Sequence, residues 1–262
     1  MRTALLAACI FIWSCSEEKE QAPQNNSLSV PDSLQASIKK FPDSALLREE
    51  LIQFYRDKGN FAEALKVTRE ASGRDSLNPR WFDIEAILHF ENEDTLRSIR
   101  AFEKAVSIFP SPEYLIPLGT LYAQTRNPRA INVADLLLSS EIARAEKESY
   151  YIKGLYHTYA GDKKKAIQFF DRALEVSFTF MEAYREKAIA LYELGRYAEG
   201  LAVLDKAVTL QNNFDEGHYY RGKLLEKMGR NEEASEAYRM ALMFDPEYTE
   251  AKEAYNRLNP TK

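Results

Sequence analysis

After Cys15 the chain has no cysteine, which removes thiol nucleophiles, thiolate metal sites and structural disulfides from almost its whole length. It also lacks any surplus of positive charge. Lys and Arg total 35 against 40 Asp and Glu, and the resulting net charge of −5 gives no electrostatic case for binding nucleic acid. Glycine and proline are sparse, at 10 each in 262 residues, which excludes collagen-like and low-complexity chains. There is no glycine-rich phosphate loop and no His-Glu-x-x-His helix, and the three histidines, His89, His157 and His218, are too far apart in sequence register to share one metal. No catalytic residue, cofactor or metal is therefore expected. The 45% hydrophobic and 29% charged residues are ordinary for a packed globular chain.

The two cysteines sit where an export signal would place them. Met1-Arg2 forms a short positive start, and residues 4–13 are a ten-residue uncharged run, too short for the ~20 apolar residues of a membrane span. The run ends in Ile12-Trp13-Ser14-Cys15, an aliphatic residue three before and a small residue one before a cysteine. These residues resemble the lipobox of bacterial lipoproteins, which implies removal of residues 1–14 and acylation of Cys15. Leu6-Ala7-Ala8-Cys9 fits the same letters but leaves a shorter apolar region and would strand Ile10-Phe11-Ile12-Trp13 on the product, so Cys15 is favoured. Residues 15–30 are polar and read as a tether. The resemblance implies a cell-envelope location, lipid-anchored in the outer membrane on its periplasmic face or at the cell surface. The acidic stretch Glu17-Glu18-Lys19-Glu20 resembles surface-export signals of some lipoproteins and is equally well read as solvated linker.

The body of the chain repeats. Gly59, Gly161, Gly195 and Gly229 are separated by multiples of 34 residues, giving units at 45–78, 79–112, 113–146, 147–180, 181–214 and 215–248 with no insertion required. Position eight of each unit is mostly small (Ala86, Gly154, Ala188, Gly222), as are position twenty (Ala64, Ser98, Ala166, Gly200, Ala234) and position twenty-seven (Ala71, Ala105, Ala173, Ala207, Ala241). Position twenty-four is large in five units: Phe102, Leu136, Phe170, Leu204 and Tyr238. Two helices approach closely only where side chains are minimal, and a bulky neighbour must then fill the remaining gap. This pattern resembles the tetratricopeptide repeat. The resemblance implies an all-α, right-handed superhelical solenoid of helix hairpins, with helices near positions 2–14 and 17–30 of each unit. Residues 31–44 read as a half-repeat capping helix, and residues 249–262 as a C-terminal capping helix. In the third unit Pro117 is expected to delay or kink the first helix.

In such repeats the first helix of each hairpin lines the concave surface. Phe90, Leu121, Tyr151, Leu155, Tyr159, Arg185, Tyr192 and Tyr219 fall on or beside the groove positions, so an apolar and aromatic partner-binding stripe is expected there. The chaperone-binding subclass grips a terminal carboxylate with Lys and Asn at positions five and nine; Glu49/Gln53 and Asp83/Ile87 stand at those places instead. The expectation is a non-enzymatic scaffold that binds an envelope protein or peptide, with the membrane engaged through the lipid anchor and nucleic acid excluded. A surface-exposed component that binds glycans or nutrients is the alternative, since aromatic stripes also stack on sugars.

Overall fold

The computed structural model describes residues 29–139 and 145–260. The proposed leader, Cys9, Cys15 and the tether up to residue 28 lie outside the described residues. Within them every regular element is a helix: α1 (Val30–Lys40), α2 (Ala45–Asp57), α3 (Phe61–Arg74), α4 (Pro79–Glu91), α5 (Thr95–Ile108), α6 (Pro112–Gln124) and α7 (Arg129–Ser139) in the first half. The second half contains α8 (Glu146–Tyr159), α9 (Lys163–Val176), α10 (Met181–Glu193), α11 (Tyr197–Leu210), α12 (Asp215–Lys227), α13 (Asn231–Phe244) and α14 (Thr249–Leu258). No described helix is long and apolar enough to cross a membrane.

The helices pair as hairpins, α2 with α3 through α12 with α13, and each hairpin stacks on the next to form a right-handed solenoid. Within four hairpins a glycine at φ between +68° and +90° (Gly59, Gly161, Gly195, Gly229) turns the chain, and the following amide donates to a carbonyl five residues back, as in Asn60 N to Tyr55 O at 2.8 Å. That bond satisfies carbonyls which the end of the first helix leaves unpaired. Glu93 and Arg126 take the same left-handed conformation without being glycine. The next residue caps the second helix: Asn60, Asp94 and Asp162 accept from the amide three residues on.

The small-against-large pairing sets how tightly each hairpin closes. A Cβ placed on Gly154 would lie 2.4 Å from the Phe170 ring, and one on Gly222 would lie 2.5 Å from the Tyr238 ring. Phe170 and Tyr238 are fully buried, so position eight and position twenty-four form one interlocked layer.

The phase is not unbroken. In the third hairpin α6 begins at Pro112 and its left-handed turn residue is Arg126, each one place before the 34-residue register; α7 starts in register after the longer turn of residues 125–128 but buries Val133, Ala134 and Leu137, one place late, so Leu137 and not the expected Leu136 is its large packing residue. Gly119, rather than Thr120, then fills the close-approach position, where a Cβ would meet Ile152 at 2.8 Å. Pro117 neither delays nor ends the helix; α6 starts at Pro112, with Ser111 O accepting from Leu115 N at 3.0 Å, and passes through Pro117.

Candidate functional site: the inner face of the first helices

The first helices of successive hairpins touch one another, α6 with α8, α8 with α10 and α10 with α12, whereas the second helices show no comparable contact among the described residues. Elements on the inside of a curved stack are the ones brought closest together, so the first helices line the concave face. Along that face successive first helices are tied by ion pairs: Arg80 to Glu49 at 3.2 Å, Arg56 to Glu91, and Arg257 of α14 to Glu226 at 2.8 Å.

The eight candidate residues divide into three groups. Leu121 and Leu155 are each 4% exposed and lie in the large core shared by the second, third and fourth hairpins, so they do not line the groove. Leu121 is displaced by the phase slip of α6, which puts it on the same place as the buried Leu88 and Leu224 of other hairpins. Leu155 is covered because α8 packs closely against α6.

Tyr151 and Tyr219 are half-buried wedges. The Tyr151 ring contacts Phe170 and Phe180 at 5.9 and 5.2 Å, and the Tyr219 ring contacts Tyr220, Tyr238 and Tyr248 at 5.1, 5.8 and 4.9 Å. Burial raises the pKa of both phenols. The sequence signal for this wedge was the aromatic residue closing a unit, Phe180, Phe214 and Tyr248, which the position-by-position reading passed over. Phe90, Tyr159, Tyr192 and Arg185 lie on first helices and are not taken into the buried core. Phe90 and Tyr159 are exposed, at 51% and 41%, and Tyr192 is half-buried. Arg185 sits between the two tyrosine wedges and donates to Glu216 at 2.5 Å and Glu186 at 3.1 Å. Burial raises the Glu186 carboxyl, with the Arg185 charge opposing that rise.

Two residues not among those eight complete the far end of the groove. Lys223 Nζ lies over three rings at once, 5.4 Å from Tyr192, 5.5 Å from Tyr219 and 5.3 Å from Tyr220, and Lys227 lies 5.8 Å from Tyr192. Neither lysine makes an ion pair among the described residues, although Glu226, Glu250 and Glu253 line the same 480 Å³ recess. A cation held over aromatic rings and left without a carboxylate keeps its charge available to a ligand. Two histidines are packing residues: His157 stacks on Phe169 at 5.4 Å, and His218 stacks on Phe244 and bonds Asn212 O at 2.8 Å; His89 is buried. Among the described residues no group of His, Cys, Asp or Glu is placed to hold a metal.

Comparison with known proteins agrees with this geometry. Residues 147–180 and 215–248 each match the family description "Tetratricopeptide repeat", and residues 188–229 match "TPR repeat". Residues 147–180 and 188–248 of the chain are thus tetratricopeptide repeats. Among curated relatives, mouse DnaJ homolog subfamily C member 7 is 27% identical over 123 residues, covering 47% of this chain and 25% of that protein. The chain thus spans about a quarter of the length of that relative. The uncharacterized protein MJ0572 of Methanocaldococcus jannaschii is 32% identical over 72 residues, covering 28% of this chain and 84% of that protein. A solved tetratricopeptide repeat protein from Parabacteroides merdae superposes with a TM-score of 0.69 at 20% identity, covering 87% of this chain and 91% of that one. Tetratricopeptide repeats generally mediate contacts between proteins, and the concave face is the surface they curve around.

Proposed function

We propose that this protein is a non-enzymatic scaffold that holds an extended segment of a partner protein along its first-helix face, at a bacterial cell envelope to which Cys15 anchors it through lipid. The observation that carries the groove assignment is the pair Lys223 and Lys227, one turn apart on α12, without an ion pair among the described residues and set against tyrosine rings. Such a surface offers a polypeptide both apolar contact and a place for a carboxylate. It offers less to a sugar. Tyr219 is tilted or edge-on to its ring neighbours, and Lys223 already covers faces of Tyr192, Tyr219 and Tyr220, so a flat stacking platform is not presented.

The test is site-specific photocrosslinking in living cells. Probes at Tyr159 and Lys227 should give discrete adducts with one partner, while probes at the outward-facing Leu77 and Met243 should not. Adducts of equal yield from both faces would sink the groove assignment. For the anchor, Cys15→Ala should release the protein from membranes; retention of that variant on washed membranes rules out lipidation at this position.

A further inference from the structure

One recess on the opposite face differs from the rest of the molecule. It has α4 as its floor and the second helices α3 and α5 as its walls, encloses about 310 Å³, and is lined by Arg69, Arg97, Arg100, Lys104, Phe82, Glu85, His89 and Ala101. Four cations thus face one carboxylate in a chain whose overall charge is −5.

The other hairpins show what this junction needs for structure alone. There, a base on the first helix pairs with an acid on the preceding second helix: Lys153 with Asp135 at 2.6 Å, Lys187 with Asp171 at 2.5 Å and Arg221 with Asp205 at 2.7 Å. At α4 the polarity is reversed, with Glu85 on the first helix and Arg69 on the preceding one at 3.3 Å, and three further cations are added from α5. Arg97 has a carboxylate neighbour in Asp94 at 3.1 Å, but Arg100 has none among the described residues, and Lys104 has only the Phe82 ring at 5.8 Å. Beside them His89 is 3% exposed, its Nδ1 has no hydrogen-bond partner, and its Nε2 stands 3.7 Å from Glu85, beyond hydrogen-bond distance. A buried ring nitrogen left without a partner among the described residues, as Nδ1 is, is costly unless something outside the chain completes its surroundings.

We infer that this recess binds a phosphate-bearing ligand, with Arg100 and Lys104 as its principal contacts and the Phe82 ring against the ligand's organic part. A dianion matches the surplus of positive charge better than a single carboxylate does, and the guanidinium forks suit oxyanion geometry. The phosphate belongs either to a free metabolite or to a lipid headgroup, and the experiment separates the two.

The test uses the full chain in titration calorimetry against inorganic pyrophosphate, and in sedimentation with phosphatidylcholine vesicles with and without phosphatidic acid. Arg100→Gln with Lys104→Gln removes two exposed, carboxylate-free cations. Lys164→Gln with Lys165→Gln removes the same charge from the exposed surface of α9 and serves as the control. Binding of pyrophosphate that falls about tenfold or more in the first pair and less than about twofold in the control supports a free phosphate ligand. The same contrast seen only in the phosphatidic acid increment to vesicle binding supports a headgroup. Addition of the bound probe should shift the His89 imidazole resonances in NMR. The proposal is overturned if neither probe binds, if both variant pairs lose affinity equally, if an acidic peptide of equal charge competes as well as pyrophosphate, or if the His89 resonances stay in place.

Discussion

At the scale of single residues, backbone conformation and close approach give opposite expectations for glycine. Glu93 and Arg126 occupy the left-handed turn position that glycine fills in four other hairpins, and neither side chain is buried there. A Cβ in that conformation costs roughly 1–2 kcal/mol, partly offset by the entropy that glycine adds to the unfolded chain. Glu93→Gly and Arg126→Gly should therefore each stabilise the fold by about 0.5–1 kcal/mol, read as a higher urea midpoint at unchanged slope. Gly222 is the converse case. Its substitution by alanine drives a Cβ into the fully buried Tyr238 ring and should destabilise by about 1–3 kcal/mol, whereas Gly73→Ala, with nothing within 4 Å in the open last turn of α3, should be neutral or slightly stabilising. Equal effects of the two alanines would mean that the close layer is not what holds the hairpin shut.

At the scale of helices, the caps explain why the second helices begin where they do and leave two of them improvable. Asp162 accepts from Lys165 N at 3.0 Å at the start of α9, so Asp162→Ala should cost about 1 kcal/mol. Arg196 and Arg230 stand at the same place before α11 and α13 without capping, each donating twice to a glutamate three residues on, Glu199 and Glu233. Those ion pairs are solvent-exposed and contribute little, so Arg230→Asp should stabilise by about 0.5–1 kcal/mol despite losing one. A lower thermal midpoint for that variant would contradict the cap assignment.

The helices also show what was legible in the sequence. The fold class was legible through the family resemblance that small and large residues spaced 34 apart carry, a spacing that close helix packing requires. The one-place slip of α6 was not legible. Gly119 and Thr120 are adjacent and both tolerably small, and only Ile152 lying 2.8 Å from the Gly119 Cβ position distinguishes them. That slip is also why Leu121 read as a groove residue. Tyr151 and Tyr219 were misleading for another reason: position five faces the groove in a bare helix, but the ring that closes each unit, Phe180 or Tyr248, swings under it and turns the tyrosine into packing. The part played by Lys223 and Lys227 was not legible because it lies in having no ion-pair partner among the described residues, which no spacing rule reports.

At the scale of the whole molecule, pH tests how the buried ionisable groups balance. Burial lowers the pKa of His89, His157 and His218 below the ordinary value of 6.5. The unfolded chain then binds protons at these sites more readily than the folded one, so their contribution is present above that value and lost as pH falls through it. Asp83 and Glu186 act in the opposite sense, since burial raises both carboxyls, but their window lies lower, above the ordinary carboxylate range near 4. Stability should therefore decline between pH 7.5 and 6 with a slope of up to about 1.4 kcal/mol per pH unit for each proton taken up, and level off as the carboxyls begin to protonate. His218→Gln should flatten the upper part of that profile; a profile rising toward pH 6 would require a titrating group other than these.

A stack in which each hairpin touches mainly its neighbours distributes its stability along its length, and the cores are unequal. The largest runs without interruption from Ala86 in α4 to Phe170 in α9 and includes Leu118, Leu137 and Ile152, tied by direct contact of α6 with α8. The C-terminal hairpins are held by several smaller clusters, and α1 rests on α2 with no residue of its own buried. Local opening should follow this order. Native-state hydrogen exchange should find the slowest amides in α5, α6, α8 and α9, intermediate protection in α10 to α13, and α1 exchanging through openings that leave the rest of the chain closed. Leu137→Ala, at 1% exposure inside the large core, should cost about 2–5 kcal/mol and lower protection in α6 and α8 first, whereas the same change at the 46% exposed Leu136 should leave both untouched. Uniform loss of protection from α1 to α14 in the Leu137 variant would instead mean that the solenoid unfolds as a single cooperative unit, and the inequality of its cores would then have no bearing on where it opens.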